Sequence, residues 1–269
     1  IRVTPGVEAH THEFVRTGQD DSKFGFGLAS GMAEDAVQRA LASPSVELVG
    51  LHAHIGSQVF EARFFELAIE VIAPFVQRHG LPELSLGGGL GVAYVEGEEA
   101  PSITQWGKAV RQACAAAGIT ATVTAEPGRA LVAQAGLTLY TVGTIKDLPG
   151  IRTYVSVDGG MSDNPRPVLY GSGYEAFLPR EVGADRTRRV TVVGKHCESG
   201  DLLVRDARVP ADLTVGDVLA TPVTGAYGHS MGSNYNKVTR PAVVFVADGR
   251  ARLVVRRESL DGLLALDDG

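Results

Sequence analysis

The chain has 269 residues, 44% hydrophobic and 21% charged, which suits a globular protein of one large domain or two smaller ones. The net charge of −6 comes without a block of lysines or arginines, which argues against a nucleic-acid partner or an anionic membrane surface. Two cysteines are typical of a reducing compartment, and no apolar run reaches the roughly 18 residues of a membrane span. We therefore expect a cytoplasmic protein.

The first half of the sequence alternates between predicted strands and helices. Residues 1–4 read as a strand, and Ser30 is placed to cap a short helix that extends to about Ala42. A strand over residues 46–54 then precedes a longer helix. In that helix the apolar residues recur at helical spacing, namely Phe64, Leu67, Ala68, Val71, Ile72, Phe75 and Val76.

A third predicted strand, residues 83–86, leads into a run of glycines. Ser102 and Gln105 have the spacing of a capping box at the start of the next helix, and a fourth strand ends at Glu126. Near-continuous apolar strands that alternate with helices predict a parallel sheet covered by helices.

The pattern changes after Gly128 to short β-rich runs separated by turn residues, without a long helix. This pattern predicts an antiparallel β barrel or sandwich. The predicted fold class is therefore α/β followed by all-β, with one domain over residues 1–135 and a second over residues 136–269.

Chemically distinctive residues follow three of the predicted parallel strands. His54 and Ser57 follow one, the glycines at 87–89 follow the next, and Glu126 to Arg129 follow the last. In a βα barrel the active site forms at these strand ends. A glycine turn gives an anion access to backbone N–H groups, a histidine ring can stack on a flat ring, and a carboxylate can pair with a protonated ring nitrogen. Together they suggest pyridoxal phosphate.

Each of these features also has a simpler explanation. The glycines can make a tight turn only, and Glu126 can be an ordinary strand exit. Since His52 alternates with His54 along the strand, we expect one of the two to face the helices as a structural histidine.

The second half offers three candidate loops. The segment 157–171 contains Arg166 and Tyr170, and arginine suits bidentate recognition of a carboxylate. The segment 225–236 contains Tyr227. Cys197 stands in KHCESGD and is either a structural cysteine or a proton donor. The alternatives are that these segments are ordinary surface loops and that Cys197 forms a disulfide with Cys114.

Read together, HIGSQ, LGGGLG, EPGRA, VDGGMSDN, KHCESGD and GAYG resemble the diaminopimelate decarboxylase family, and VEAHTHEF near the N-terminus adds to this. The family is one of fold-type III, alanine-racemase-like, pyridoxal-phosphate-dependent decarboxylases. The resemblance implies the C-terminal half of a (β/α)8 barrel over residues 1–135, followed by the β domain. Ornithine and arginine decarboxylases share several of the motifs but usually differ around the cysteine.

The resemblance also implies roles for individual residues. His54 would stack on the cofactor ring, and Glu126 would face its pyridine nitrogen. The phosphate would be held by Ser57, Gly88 and Gly89 and by backbone groups of Gly128 and Arg129. Substrate would be bound by Arg129, Arg166, Tyr170, Glu198 and Tyr227, of which Tyr227 also lies near the cofactor. Cys197 would return the proton. Cys197 and Glu198 would enter the partner subunit's pocket in a homodimer with shared active sites.

The sequence departs from the family in two respects. The family's lysine that binds the cofactor covalently has no counterpart among the five lysines, and only four parallel strands are predicted where a full barrel has eight. We therefore expect a truncated chain that is inactive by itself. The open alternatives are another decarboxylase of this fold type, acting on ornithine, arginine or carboxynorspermidine, and a non-catalytic homologue. No metal site is assigned.

Overall fold

The computed structural model describes residues 1–7 and 22–268, which form two compact units, residues 1–132 and 133–269. Most of the VEAHTHEF motif lies outside the described residues. No helix within the described ranges combines the length and the apolar character that a membrane span requires.

The first unit contains a five-stranded, wholly parallel sheet that is curled like half of a barrel. Its order is β2-β1-β3-β4-β5. The strands are β1 (Arg2–Thr4), β2 (Phe26–Gly27), β3 (Gly50–Ala53), β4 (Glu83–Ser85) and β5 (Thr122–Thr124). The helices are α1 (Met32–Leu41), α2 (Arg63–His79), α3 (Ile103–Ala116) and α4 (Gly128–Val132).

The core of this unit lies between the sheet and the three longer helices. Phe65, Ile69 and Ile72 of α2 are at most 2% exposed, and the ring of Phe65 meets that of Trp106 on α3 edge-on at 5.5 Å. The capping box at the start of α3 is confirmed, because Ser102 accepts the Gln105 N–H and Gln105 accepts the Ser102 N–H.

Four details of the predicted first half are wrong. Gly31, not Ser30, precedes α1, and its φ of 79° is a conformation that glycine adopts readily. The strand predicted from residue 46 begins at Gly50. The buried face of α2 includes Phe65 and Ile69, whereas Leu67 and Val71 are exposed. The unpredicted strand β2 has two residues, too few for any periodic pattern.

The second unit contains a five-stranded sheet of order β10-β6-β7-β8-β9 and a separate hairpin, β11-β12. The strands are β6 (Leu137–Leu148), β7 (Arg152–Val157), β8 (Arg188–Val193), β9 (Leu202–Val209), β10 (Val218–Pro222), β11 (Val243–Ala247) and β12 (Arg250–Val255). Three short helices accompany them, namely α5 (Arg166–Tyr170), α6 (Gly228–Met231) and α7 (Leu260–Leu264).

One strand pair departs from the expected antiparallel arrangement. β7 and β8 run parallel, whereas the other neighbours in this sheet run antiparallel. The loops that follow β7 and β8 therefore leave the same edge of the sheet, and these two loops carry Arg166 and Cys197.

Candidate active site

The ends of β3, β4 and β5 meet through backbone contacts. The Gly88 N–H donates to Nδ1 of His54 at 3.0 Å, and the Glu126 N–H donates to the carbonyl of Gly87 at 2.8 Å. The structure therefore brings His54, the glycine turn and Glu126 into one place. Parallel strands make this possible because their carboxyl ends lie at the same edge of the sheet.

The glycines at this edge are required by the closeness of the backbones. A Cβ at Gly88 would lie 2.4 Å from the carbonyl oxygen of Glu126, and one at Gly89 would lie 2.1 Å from that of Gly56. Gly89 also has a φ of 105°, which side chains rarely allow. Glycine at these positions thus allows the backbones of the neighbouring strand ends to pack against one another.

His54 carries a neutral imidazole. A backbone N–H donates to Nδ1, which must therefore be unprotonated. Burial lowers the pKa of His54 below its ordinary value, and the nearby charges of Arg2 and His52 lower it further. A neutral, partly buried ring of this kind offers a flat face for stacking on another ring.

Glu126 is held as an ionised carboxylate. Its Oε1 accepts the hydroxyl of Ser85 at 2.9 Å and lies 3.3 Å from Nε2 of His52. The Ser85 hydrogen bond is the main cause that lowers the pKa of Glu126 below its ordinary value, and His52 adds to it. The site therefore presents an anionic oxygen beside the neutral ring of His54.

The expectation that one of the two histidines faces the helices is wrong. His52 contacts Glu126, and His54 contacts the glycine turn that Glu126 also meets. Residues two apart in a strand point to the same face of a sheet, so the alternation places both histidines together.

Ser57 lies half-buried in the bend after β3. The Val59 N–H donates to the carbonyl of Gly89 at 2.9 Å, and the Gly91 N–H donates to that of Val59 at 3.0 Å. These bonds hold the Ser57 bend beside the glycine turn.

Arg129 is 8% exposed at the start of α4, and its Nη1 donates to the hydroxyl of Tyr94 at 2.6 Å. The preceding Gly128 N–H donates to the carbonyl of Glu126 at 2.8 Å. Tyr94 thus fixes the guanidinium that follows the Glu126 strand end.

In the second unit, Arg166, Tyr170 and Tyr227 lie together. The guanidinium carbon of Arg166 is 5.5 Å from the ring centre of Tyr170 and 5.8 Å from that of Tyr227. Arg166 is 5% exposed, and it donates to the hydroxyls of Tyr174 and Ser172 at 3.1 Å each. A buried arginine between aromatic rings is suited to a carboxylate.

Cys197 and Glu198 are exposed on the loop between β8 and β9. The hydroxyl of Tyr235 donates to the Glu198 carboxylate, and this bond raises the pKa of Tyr235. Both cysteines are free, so the alternative of a Cys114–Cys197 disulfide is wrong. Cys114 is buried in α3, and burial raises the pKa of its thiol.

Sequence reasoning does not single out Ser85, Tyr94 or Tyr235. Ser85 has a usable signal, because it stands two residues before the glycine run that follows its strand. Tyr235 lies in the polar segment 225–236, where only Tyr227 is selected. Tyr94 gives no local signal, since its partner Arg129 is 35 residues away in the sequence.

Comparisons with known proteins point in one direction. Residues 1–133 match the family described as pyridoxal-dependent decarboxylase, pyridoxal binding domain. A diaminopimelate decarboxylase from Corynebacterium efficiens is 49% identical over 99% of this chain and 61% of its own length. A diaminopimelate decarboxylase structure from M. jannaschii, in complex with L-lysine, superimposes with a TM-score of 0.90 at 33% identity, covering 100% of this chain and 63% of that one.

A third relative is the Helicobacter pylori diaminopimelate decarboxylase complexed with L-lysine, with a TM-score of 0.89 at 32% identity over 99% of this chain and 66% of that one. The chain therefore spans less than two thirds of the length of each of these three relatives.

Proposed function

Because residues 1–133 belong to the pyridoxal-dependent decarboxylase family, we propose that the chain is part of an enzyme that converts meso-2,6-diaminopimelate to L-lysine and CO2, the last step of lysine biosynthesis. The observation that carries this proposal is the meeting of His54, the glycine turn and Glu126 at one edge of the parallel sheet. The diaminopimelate decarboxylases among its relatives, with matches over 99% of the chain, support the choice of substrate.

The residues at this edge fit pyridoxal phosphate. Gly88 and Gly89 are proposed to lie against the phosphate, because backbone without side chains allows an anion to come close. Ser57, Gly128 and the backbone of Arg129 complete the proposed phosphate site. When bound, the cofactor supplies an electron sink for the carbon that loses CO2. Glu126, kept ionised by Ser85, would hold a proton on the ring nitrogen, and His54 would cover one face of the ring.

In the second unit, Arg166 is proposed to bind the distal carboxylate of the substrate, and Tyr170 and Tyr227 would enclose it. In the first unit, Arg129 is proposed as a further substrate-binding residue. The support is the burial of Arg166 between two tyrosine rings. Glu198 would bind the distal amino group, with its carboxylate oriented by Tyr235.

Cys197 is proposed to return a proton to the carbon after CO2 departs. A protonated thiol can donate to a carbanion. The thiol is exposed on its own chain, as a residue that serves a partner's pocket would be. We therefore propose a homodimer in which Cys197 and Glu198 complete the neighbouring subunit's site.

The domain assignment follows from this function. Residues 1–135 would be the C-terminal half of a (β/α)8 barrel, and residues 136–269 a β barrel or sandwich that contributes substrate and dimer contacts. The free state of both cysteines supports a cytoplasmic location.

The proposal is tested on the complete native protein loaded with pyridoxal phosphate. We expect CO2 release from meso-diaminopimelate at least about 100-fold faster than from L-ornithine, because Arg166 and Glu198 together match a distal amino-acid group. Cys197→Ala should keep the cofactor absorbance and lose most of kcat, whereas Cys114→Ala should retain it. Preference for L-ornithine would contradict the assigned substrate, and an unchanged kcat in Cys197→Ala would contradict the proton-donor role.

A further inference from the structure

A buried carboxylate ties together the two loops that leave the parallel pair β7 and β8. Asp201 is 3% exposed. Its Oδ1 accepts the Met161 N–H at 2.6 Å and its Oδ2 accepts the His196 N–H at 2.9 Å. One oxygen therefore binds the loop after β7, and the other binds the loop after β8, immediately before Cys197.

Further bonds join the same two loops. Nε2 of the buried His196 lies 2.9 Å from the hydroxyl of Ser162, and the Lys195 N–H donates to the carbonyl of Gly159 at 3.0 Å. Asp201 also binds its own loop, since the Gly194 N–H donates to its carbonyl at 2.9 Å. The two residues that precede Cys197 are thus fixed to the neighbouring loop by backbone and side chain.

The space for this carboxylate exists because two glycines face it. A Cβ at Gly194 would lie 2.1 Å from Oδ2 of Asp201, and one at Gly160 would lie 2.8 Å from the same oxygen. Neither glycine has a positive φ, so close packing rather than backbone conformation makes glycine necessary, against Asp201 at both positions and also against the His196 ring, 2.7 Å away, at Gly160.

We propose that Asp201 is a positioning residue that sets the location of the Cys197 thiol, an inference that rests on the proton-donor role proposed above. Arg166 has its own partners in Tyr174 and Ser172, whereas Asp201 binds the loop that carries both Cys197 and Glu198. Without the carboxylate, two backbone N–H groups lose their acceptors, and the Cys197 loop loses its fixed path. A displacement of about 1 Å in a reacting group can cost about 100-fold in rate.

The test uses the complete native enzyme and the variant Asp201→Asn, whose amide can accept only one of the two N–H groups. We expect kcat to fall about 10- to 100-fold with unchanged cofactor absorbance, and KM for meso-diaminopimelate to rise by a smaller factor because Glu198 lies on the same loop. The solvent deuterium isotope effect on kcat should rise, because proton return from a displaced thiol becomes rate-limiting. Gly194→Ala, which crowds the same oxygen, should show the same pattern.

The matched control is Asp206→Asn, which alters an exposed aspartate on β9 paired with Arg189 and should behave as the native enzyme. Amide hydrogen exchange over residues 194–201 provides a readout without turnover and should accelerate in Asp201→Asn but not in Asp206→Asn.

Unchanged exchange in Asp201→Asn, or a loss of kcat that only matches a loss of bound cofactor, would overturn the proposal. If the native enzyme fails to decarboxylate meso-diaminopimelate, the proposed function fails, and the exchange measurement alone then decides whether Asp201 orders the loop.

Discussion

At the scale of single residues, the charge of Glu126 depends on two neighbouring side chains. Ser85 and His52 both approach Oε1 of Glu126, and neither is among the residues predicted to touch cofactor or substrate. Their contribution is to keep the carboxylate ionised where the proposed cofactor needs a negative partner for its protonated ring nitrogen. The most informative substitution is therefore beside the carboxylate rather than at it.

Ser85→Ala should make cofactor binding more sensitive to acid. The pKa of Glu126 is lowered in the folded protein, so its ionised form contributes above the ordinary pKa of the carboxyl and is lost as the pH falls through the lowered value. Removing the hydroxyl raises the pKa of Glu126, which moves the loss of cofactor to higher pH.

The measurement is the pH midpoint of cofactor release, followed by absorbance of the complete enzyme. Ser43→Ala, in the turn after α1, should leave the midpoint unchanged. A midpoint that stays constant in Ser85→Ala would show that the hydrogen bond has no part in holding the charge.

At the scale of elements, the glycine turn after β4 allows the strand ends to meet closely. Gly89→Ala combines a strained φ of 105° with a contact of 2.1 Å to the Gly56 carbonyl oxygen, so the backbone must move. We expect at least about tenfold weaker cofactor binding and a lower Tm, since strain of this kind costs roughly 1–3 kcal/mol before any clash.

Gly97→Ala separates the two causes. Gly97 also has a positive φ, 88°, but a Cβ there would have no neighbour within 4 Å. It should lower the Tm slightly and leave the cofactor Kd unchanged. Equal effects of the two substitutions on the cofactor Kd would mean that backbone strain, not the meeting of strand ends, governs binding.

The sequence predicts those elements whose pattern is local and long. The apolar period of α2 and the capping box of α3 are readable because each signal lies within one element, although the buried face of α2 is rotated towards Phe65 and Ile69. The two residues of β2 show no period.

The site divides in the same way. His54, Gly88 and Glu126 are found because each follows its own strand. The pairs Tyr94–Arg129 and Tyr235–Glu198 join residues 35 and 37 positions apart, and only the folded chain brings them together. The hydrogen bonds of Asp201 to the segments after β7 and β8 depend on the parallel pairing of these strands. The sequence predicts an antiparallel domain, so this arrangement could not be foreseen.

At the scale of the whole molecule, the distribution of lysines bears on the proposed enzyme. The five lysines are all exposed, and none lies at the ends of β3, β4 and β5. A lysine that binds the cofactor covalently must reach that edge, so we predict that it lies outside the 269 residues.

Borohydride reduction of the complete, cofactor-loaded protein followed by peptide mapping checks this. The labelled lysine should map to none of Lys23, Lys108, Lys146, Lys195 and Lys237. Label on any of these five would refute the assignment, and the absence of label from a cofactor-loaded, active enzyme would refute covalent attachment.

The parallel pair β7–β8 has a practical consequence for protein engineering. Asp201 joins the segments that follow these two strands, and Gly160 and Gly194 leave the space for its carboxylate. Grafting the Cys197 loop onto a related scaffold therefore requires more than the seven residues 195–201. The segment after β7 must be transferred as well, because without it the backbone before Cys197 loses the bonds that hold it in place.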